Sequence, residues 1–318
     1  MESIYGAMKL FPYISKLKFN MRPQLENLLS RTVGLMYTLP LANNSIPQIA
    51  VSTQNDECFH VLSSDQDLAK VIYNGIVEYS FDNLESYLDR LSDAQIIALK
   101  TKLKYNAAAE EDIRLKYGFY GEVLLFLFLQ YYHNANTVIS RGWFYQPTAN
   151  AEVTGYDTYQ MVERNGAVEL WFGEVKFYQS YTEAVKKILK KVGTSLSDDY
   201  LEANILDISQ HVKKVNPRSQ IDRIINAWLD NPSIIIKDEL IRYNMTLVYP
   251  MMVIFDDKDQ TYDDIIKEVV EYINREFPAI VYNVAIPTKL FFMLLPVKSA
   301  KTIKTQVLSW IDTKEALI

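Results

Sequence analysis

The chain is poor in the residues that build covalent and metal-centred frameworks. Its 318 residues include one cysteine, Cys58, and three histidines, His60, His133 and His211. One cysteine excludes an internal disulfide framework and a cysteine-based zinc site, and the scattered histidines argue against a histidine-ligated metal centre. Glycine and proline number only 10 and 11, which excludes a collagenous or low-complexity chain. With 49% hydrophobic and 23% charged residues, the composition predicts a globular protein.

Long apolar runs are also missing. The longest strongly apolar run, Val123 to Leu129, is far shorter than the roughly 18–20 residues that span a bilayer. The N-terminal sequence carries Glu2 and has no signal-peptide layout. We therefore expect a soluble, cytoplasmic protein that contacts no membrane. The sequence also contains no Gly-rich phosphate loop, so we expect this chain to bind no nucleotide cofactor.

The charge balance is acidic. The 39 acidic and 33 basic side chains give a net charge of −6 and a pI near 5.3. A protein that held nucleic acid through its overall electric field would be basic. Any role on nucleic acid therefore needs a local basic patch or a partner that holds the substrate.

The pattern of elements changes near residue 108. The first hundred residues mix helical and extended patterns, and residues 22–38 have helical periodicity. From residue 112 onward the predicted order is helix, three strands, helix, strand, helix, strand, helix. That order is typical of an α/β core with a mixed central sheet flanked by helices. We predict an N-terminal α+β region over residues 1–108 and a second domain over residues 109–318.

One apolar strand carries two charges. The segment 168–178 reads VELWFGEVKFY, in which Glu174 and Lys176 share a face with Val168, Leu170 and Phe172. The opposite face is apolar too, which is typical of a buried central strand. Burying unpaired charge costs several kcal/mol, so these side chains need a partner.

A predicted hairpin supplies that partner. Asn165-Gly166 favours a two-residue turn, and the resulting register places Asp157 opposite Glu174 with Cβ atoms about 4.5–5.5 Å apart. Two opposed carboxylates repel unless a proton or a cation lies between them. Mg²⁺ (or Mn²⁺), a hard cation with oxygen ligands, would resolve the conflict, and Lys176 could contact a bound phosphate or a metal-activated water. The alternative is a structural lysine–carboxylate cluster at the end of a sheet.

Three motifs carry a resemblance to a known family. The arrangement of Asp157, Glu174 and Lys176 on successive strands after an apolar helix resembles the PD-(D/E)XK, or restriction-endonuclease-like, nucleases. The segments GFYGEVLLF (118–126), TGYD (154–157) and WFGEVKFY (171–178) carry a closer resemblance to one family. Over residues 110–300 the chain is more closely similar to the HamA family, the nuclease subunits of bacterial Hachiman antiphage systems. The sequence departs from the wider pattern in having no proline before Asp157.

The resemblance implies a site and a cofactor. Asp157, Glu174 and Lys176 match the family's catalytic residues, and Glu122 matches a glutamate that many members add from the preceding helix. Mg²⁺ (or Mn²⁺) would be held by Asp157, Glu174, the Val175 carbonyl and Glu122. Glu122 is equally well explained as a partly exposed acid that the helix dipole favours near a helix start.

The resemblance also implies a function. It predicts a metal-dependent DNA nuclease that acts as effector of an antiphage complex with a helicase partner, HamB. The N-terminal region carries no motif of the family and is a candidate partner-binding region. Two alternatives stay open: a non-enzymatic interaction subunit that keeps the nuclease fold, and the same fold cleaving RNA.

A lysine stripe is the candidate nucleic-acid contact. In the helix predicted over residues 181–192, one side carries Lys186, Lys187, Lys190 and Lys191, a pattern suited to phosphates. A lysine-rich face is also typical of an ordinary solvated helix surface. A weaker patch contains Lys213, Lys214 and Arg218.

Overall fold

The computed structural model describes residues 21–40, 51–53, 55–81, 84–103, 105–137, 145–146, 151–152, 155–164, 167–211, 220–230, 236–277, 284 and 286–318. Within these ranges the chain forms both helices and strands. The helices are α1 (Pro23–Thr32), α2 (Asp65–Ser80), α3 (Leu91–Ile97), α4 (Glu111–Arg114), α5 (Phe119–His133), α6 (Tyr181–Ser195), α7 (Asp198–His211), α8 (Gln220–Asp230), α9 (Ile236–Arg242), α10 (Tyr262–Glu276) and α11 (Ala300–Thr313). A 3₁₀ segment covers Leu84–Arg90 and a π-helical turn covers Ala98–Lys102.

The strands form one large mixed sheet and a two-stranded ribbon. They are β1 (Val33–Pro40), β2 (Val51–Thr53), β3 (Asn55–Val61), β4 (Asn136–Thr137), β5 (Tyr145–Gln146), β6 (Ala151–Glu152), β7 (Gln160–Arg164), β8 (Ala167–Trp171), β9 (Glu174–Phe177), β10 (Thr246–Asp256) and β11 (Thr288–Val297). The large sheet has the order β1-β3-β11-β10-β8-β7-β4, with β2 beside β11 and β9 beside β10, while β5 pairs with β6. This arrangement confirms the predicted α/β core with a mixed sheet.

The sheet lies between two helical layers. Its two central strands, β10 and β11, are parallel and buried along almost their whole length, as expected for strands covered on both faces. One face packs against α6, α7, α8 and α10. The other face packs against α1, α2, α5 and α11. In the described part of the chain, no helix is both long enough and apolar enough to cross a membrane.

The N-terminal strands belong to the same sheet as the later ones. β3 runs parallel to β11, with Met293 beside Glu57 and Leu294 beside Cys58, and β1 pairs antiparallel with β3. Helix α2 packs against α5 and α11. The division near residue 108 stays a prediction about chain organisation, and the described residues on its two sides share one sheet and its two cores.

The helix predicted over residues 22–38 is only partly correct. Helix α1 ends at Thr32, and Val33–Pro40 is strand β1. The reason is tertiary: β1 pairs with β3 from Val33↔Val61 to Pro40↔Asn55, and this ladder overrides a weak local helical preference.

Candidate active site

The strand that carries Glu174 and Lys176 is interrupted just before them. β8 and β9 lie against β10 with the same stagger, Trp171 beside Val248 and Glu174 beside Met251. The break falls at Gly173, opposite Pro250, which has no backbone N–H to donate. A Cβ atom on Gly173 would lie 2.7 Å from Pro250 Cγ and 2.8 Å from the Pro250 carbonyl oxygen. Glycine is therefore required for the two strands to stay this close.

The predicted faces of this strand are confirmed. Val168, Leu170 and Phe172 pack into the core on the α6 side of the sheet. Trp171, Val175 and Phe177 pack into the core on the α5 side. Because β8 and β9 share one stagger along β10, Glu174 and Lys176 follow the first set. Glu174 and Lys176 therefore lie at one end of a strand face that is otherwise apolar.

Asp157 reaches the same place from a bend before β7. The ladder between β7 and β8 ends at Gln160↔Trp171, so Asp157 is not in direct cross-strand register with Glu174. Its backbone N–H instead donates to the Gly173 carbonyl (2.9 Å), and its Oδ2 accepts from the Val175 N–H (2.9 Å). The turn residues Asn165 and Gly166 lie outside the described residues, but the pairing of Arg164 with Ala167 fits the expected two-residue loop.

Two tyrosines hold this bend in shape. The Tyr159 hydroxyl accepts from the Tyr156 N–H (3.0 Å) and donates to Asn204 Oδ1 (2.6 Å). The Tyr156 hydroxyl donates to the Ser195 carbonyl (2.7 Å). Both rings are buried and pack against Phe172. The bend is therefore fixed to α6 and α7, and Asp157 is held in position by the core.

Two carboxylates and two ammonium groups meet at β9. Lys176 Nζ contacts Glu174 Oε1 and lies 3.9 Å from Asp157 Oδ2. It also donates to the Val175 carbonyl (3.0 Å). From α6, Lys191 Nζ lies 2.5 Å from Glu174 Oε2 and donates to the Gly155 carbonyl (3.0 Å). Two positive charges therefore balance two negative ones.

Burial and mutual charge shift the pKa values in this cluster. Burial, reinforced by the neighbouring Asp157 carboxylate, raises the pKa of Glu174 in spite of the two lysines beside it. Burial alone would lower the pKa of Lys176, but Asp157 and Glu174 outweigh it and leave that pKa above its ordinary value. The same opposition raises the pKa of Lys191. Paired carboxylates thus hold both ammonium groups charged.

The cluster opens into a cleft of about 690 Å³, formed by residues from segments 112–122, 175–187 and 300–304 together with Asp157. Glu122 lies on the α5 wall of this cleft, and its Oε2 accepts from the Tyr79 hydroxyl (2.5 Å). Among the described residues, no three histidine, cysteine, aspartate or glutamate side chains are close enough together to hold a metal ion. Glu122 therefore lines the same cleft as Asp157 without joining Asp157 and the buried Glu174 in one acidic cluster.

The donor set beside β9 suits a hard cation. Asp157, Glu174 and the Val175 carbonyl already surround one positive group, the Lys176 ammonium, with oxygen atoms. Oxygen ligands of this kind are those that Mg²⁺ and Mn²⁺ prefer. The residues present therefore fit such an ion, which would compete with Lys176 for the same oxygens.

The lysine stripe is divided between two environments. Lys186, Lys187 and Lys190 are exposed on α6, and Lys187 pairs with Glu183 (2.7 Å) and donates to the Tyr178 hydroxyl (3.1 Å). Lys191 turns into the acidic cluster instead, a role that the sequence reasoning missed. Lys213, Lys214 and Arg218 lie outside the described residues.

The second group that sequence reasoning missed is Lys304 on α11. Its Nζ donates to the Phe177 carbonyl (2.8 Å), one residue beyond Lys176. The sequence offered only a weak signal for this contact, the spacing of Lys301 and Lys304 in an amphipathic C-terminal helix.

Comparison with known proteins gives one match. A family model described as HamA matches residues 44–311. The search of curated proteins and the search of solved structures each gave no match.

Proposed function

The chain belongs to the HamA family, and we propose on this basis that it is a metal-dependent DNA nuclease. The family makes it a subunit of a Hachiman defence system. The observation that supports a catalytic role is that Asp157 and Lys176, which line the cleft, meet the buried Glu174 carboxylate. Two motifs separated in sequence contribute to it, TGYD (154–157) with Asp157 and WFGEVKFY (171–178) with Glu174 and Lys176, and a purely structural Glu174–Lys176 ion pair would not require Asp157.

The residues divide the chemistry of phosphodiester hydrolysis between them. Asp157, Glu174 and the Val175 carbonyl would hold Mg²⁺ or Mn²⁺, with Glu122 available across the cleft. When bound, such an ion would lower the pKa of a water molecule and would offset negative charge on the phosphate. Lys176 orients the attacking water or stabilises the negative charge of the transition state. Lys191 holds the second oxygen of Glu174 and so fixes the orientation of that carboxylate.

A helicase partner fits the charge of the chain. A net charge of −6 opposes binding of a polyanion, and Lys187, Lys191 and Lys176 are each engaged by carboxylates. Lys186 and Lys190 remain as exposed candidates for phosphate contact. We propose that HamB, in the cytoplasm, uses ATP and brings DNA to the cleft, while this chain binds no nucleotide cofactor.

A cleavage assay tests the proposal. Plasmid and linear DNA are incubated with Mg²⁺ or Mn²⁺ and the wild type, Glu174→Gln or Lys176→Met, each with and without the helicase partner and ATP. We expect either variant to lose about 10²–10³-fold in rate, as for other electrostatic stabilisers.

The matched control is Glu169→Gln. Glu169 is also a buried carboxylate paired with a lysine, Lys289 (2.7 Å), on the same composite strand but outside the cleft. It should retain cleavage. Equal loss in Glu169→Gln would indicate a structural effect. No DNA cleavage by the wild type in any condition, with the partner still bound, would favour an interaction subunit. Cleavage of RNA alone would change the substrate.

A further inference from the structure

Among the described residues, no strand pairs with the second edge of β9, the one that faces away from β10. The N–H groups of Phe172 and Tyr178 donate to the Val248 and Ile254 carbonyls of β10 (3.1 and 3.0 Å). Because alternate residues of a strand direct their backbone groups to opposite sides, Gly173, Val175 and Phe177 direct theirs to the other edge. β7 begins at Gln160 and does not extend along this edge.

Polar groups occupy this edge one after another. The backbone N–H of Asp157 donates to the Gly173 carbonyl, and Asp157 Oδ2 accepts from the Val175 N–H. Lys176 Nζ donates to the Val175 carbonyl. The next carbonyl, that of Phe177, accepts from Lys304 Nζ (2.8 Å). Two residues of a strand span about 7 Å. Lys304 therefore lies one edge position beyond the proposed catalytic groups, a step comparable to that between successive phosphates of a nucleic-acid strand.

Lys304 is a partly buried cation that has no acidic partner among the described residues. Its Nζ lies 4.8 Å from the centre of the Phe177 ring and 5.7 Å from that of Tyr120. Lys304 forms no ion pair with a carboxylate of the described residues, and the Phe177 carbonyl is its hydrogen-bond acceptor. Burial lowers its pKa to about 8, in spite of the more distant Asp256. An ammonium group has three N–H donors, so two of the donors of Lys304 have no acceptor among the described residues.

Two further lysines lie at the rim of the same cleft. Lys116 and Lys301 line it beside Lys304 and are exposed. In the part of the chain that the structure describes, neither forms an ion pair with a carboxylate. Lys116, Lys301 and Lys304 therefore bring three lysines to the cleft, whose lining also contains the carboxylates of Asp112 and Glu122.

We propose that Lys304, with Lys116 and Lys301 at the rim, forms a phosphate-binding subsite for the phosphodiester next to the one that is cut. The subsite rests on the proposed nuclease function and specifies how the strand is held. A phosphate would give the desolvated ammonium the charge-assisted hydrogen bonds that it lacks. The competing explanation is that Lys304 only fastens α11 to β9.

Binding and kinetics separate the two explanations. Lys304→Met keeps the apolar stem and removes the charge, Lys304→Arg keeps the charge, and Lys267→Met removes an exposed lysine from α10, outside the cleft. Each protein, with its helicase partner, is titrated into a fluorescein-labelled oligonucleotide in Ca²⁺ over a range of salt, and KM and kcat are measured in Mg²⁺.

We expect Lys304→Met to weaken binding and raise KM roughly tenfold, as for the loss of a hydrogen bond to a charged group. The slope of log affinity against log salt should fall by about one. Lys304→Arg should stay near the wild type, and Lys267→Met should be unchanged.

Unchanged affinity and salt slope in Lys304→Met would overturn the subsite, and a lower Tm with unchanged affinity would assign Lys304 to fastening α11. A wild type that never cleaves, but whose binding depends on Lys304, would instead contradict the nuclease function while leaving the phosphate contact intact.

Discussion

At the scale of single residues, the candidate centre is defined by balanced charge. Glu174 is fully buried and touches two ammonium groups, Lys176 and Lys191. Removing one member of such a cluster leaves an uncompensated buried charge, which is costly. Truncation to alanine would add a cavity to that cost, so we favour Glu174→Gln and Lys176→Met, which remove the charge but keep the shape of the side chain.

Asp56 is a second buried carboxylate, outside the cleft, and it predicts a pH dependence of stability. Its Oδ1 accepts from the Phe292 N–H (2.7 Å), while its Oδ2 has no hydrogen-bond partner among the described residues. Burial raises its pKa from 3.8 to about 7. The folded state therefore holds the proton more tightly than the unfolded state, and this residue's contribution to stability falls as pH rises from about 4 to 7.

Asp56→Asn removes that penalty. We expect the difference in unfolding free energy between the variant and the wild type to increase by about 3 kcal/mol between pH 5 and pH 8. This follows from 1.36 kcal/mol per pH unit over the range in which Asp56 is protonated in the folded state only. Urea unfolding at the two pH values measures it. A difference that is the same at both pH values would show that Asp56 ionises normally.

At the scale of elements, the position of β9 depends on one close contact. Gly173→Ala would place a Cβ 2.7 Å from Pro250 Cγ and 2.8 Å from a backbone oxygen that cannot easily move. We expect a loss of about 1–3 kcal/mol in stability, as for other overpacked sites, and a lower cleavage rate because β9 carries the charged groups. Thermal unfolding and the cleavage assay measure the two effects.

Gly34→Ala is the matched control for this change. Its Cβ would lie 3.0 Å from Leu62 Cδ1, and Leu62 is exposed and can move. Its effects on stability and cleavage should be small. If Gly173→Ala were as well tolerated as Gly34→Ala, the contact with Pro250 would not fix β9.

The sequence predicts local features of the site better than distant ones. The alternation in VELWFGEVKFY sets the faces of Glu174 and Lys176, and the two-residue turn sets the β7–β8 register. The break at Gly173 could not be predicted because it is caused by Pro250, which lies 77 residues further along the chain. The sequence alone does not give the register in which the two strands pair. The same holds for Lys304 and Phe177, which are 127 residues apart, and for β1, whose ladder with β3 overrides a helical pattern.

At the scale of the whole molecule, one sheet joins the N-terminal and C-terminal parts of the chain. β3 pairs with β11, and the two cores contain residues from both parts. Removal of the N-terminal strands would expose a long apolar edge of β11, which favours aggregation. The predicted partner-binding role of the N-terminal region would therefore act through a segment that also stabilises the α/β core.

A single unfolding transition is the expected consequence. Calorimetry of the full chain should give one transition whose van't Hoff and calorimetric enthalpies agree. Fluorescence and circular dichroism should report the same midpoint. Two separate transitions, or different midpoints for the two probes, would show that residues 1–108 form an independent unit.

The central claim is that the open edge of β9 is a metal-dependent catalytic centre. Crystals grown with Mn²⁺ and a short DNA test it most directly, because the anomalous signal locates the ion. We predict a peak within about 2.0–2.2 Å of oxygens of Asp157, Glu174 and the Val175 carbonyl, the distance typical of Mg²⁺-like ligation, with Lys176 displaced from those oxygens. A saturated crystal with no peak there, or with Lys176 still in contact with both carboxylates, would contradict the claim.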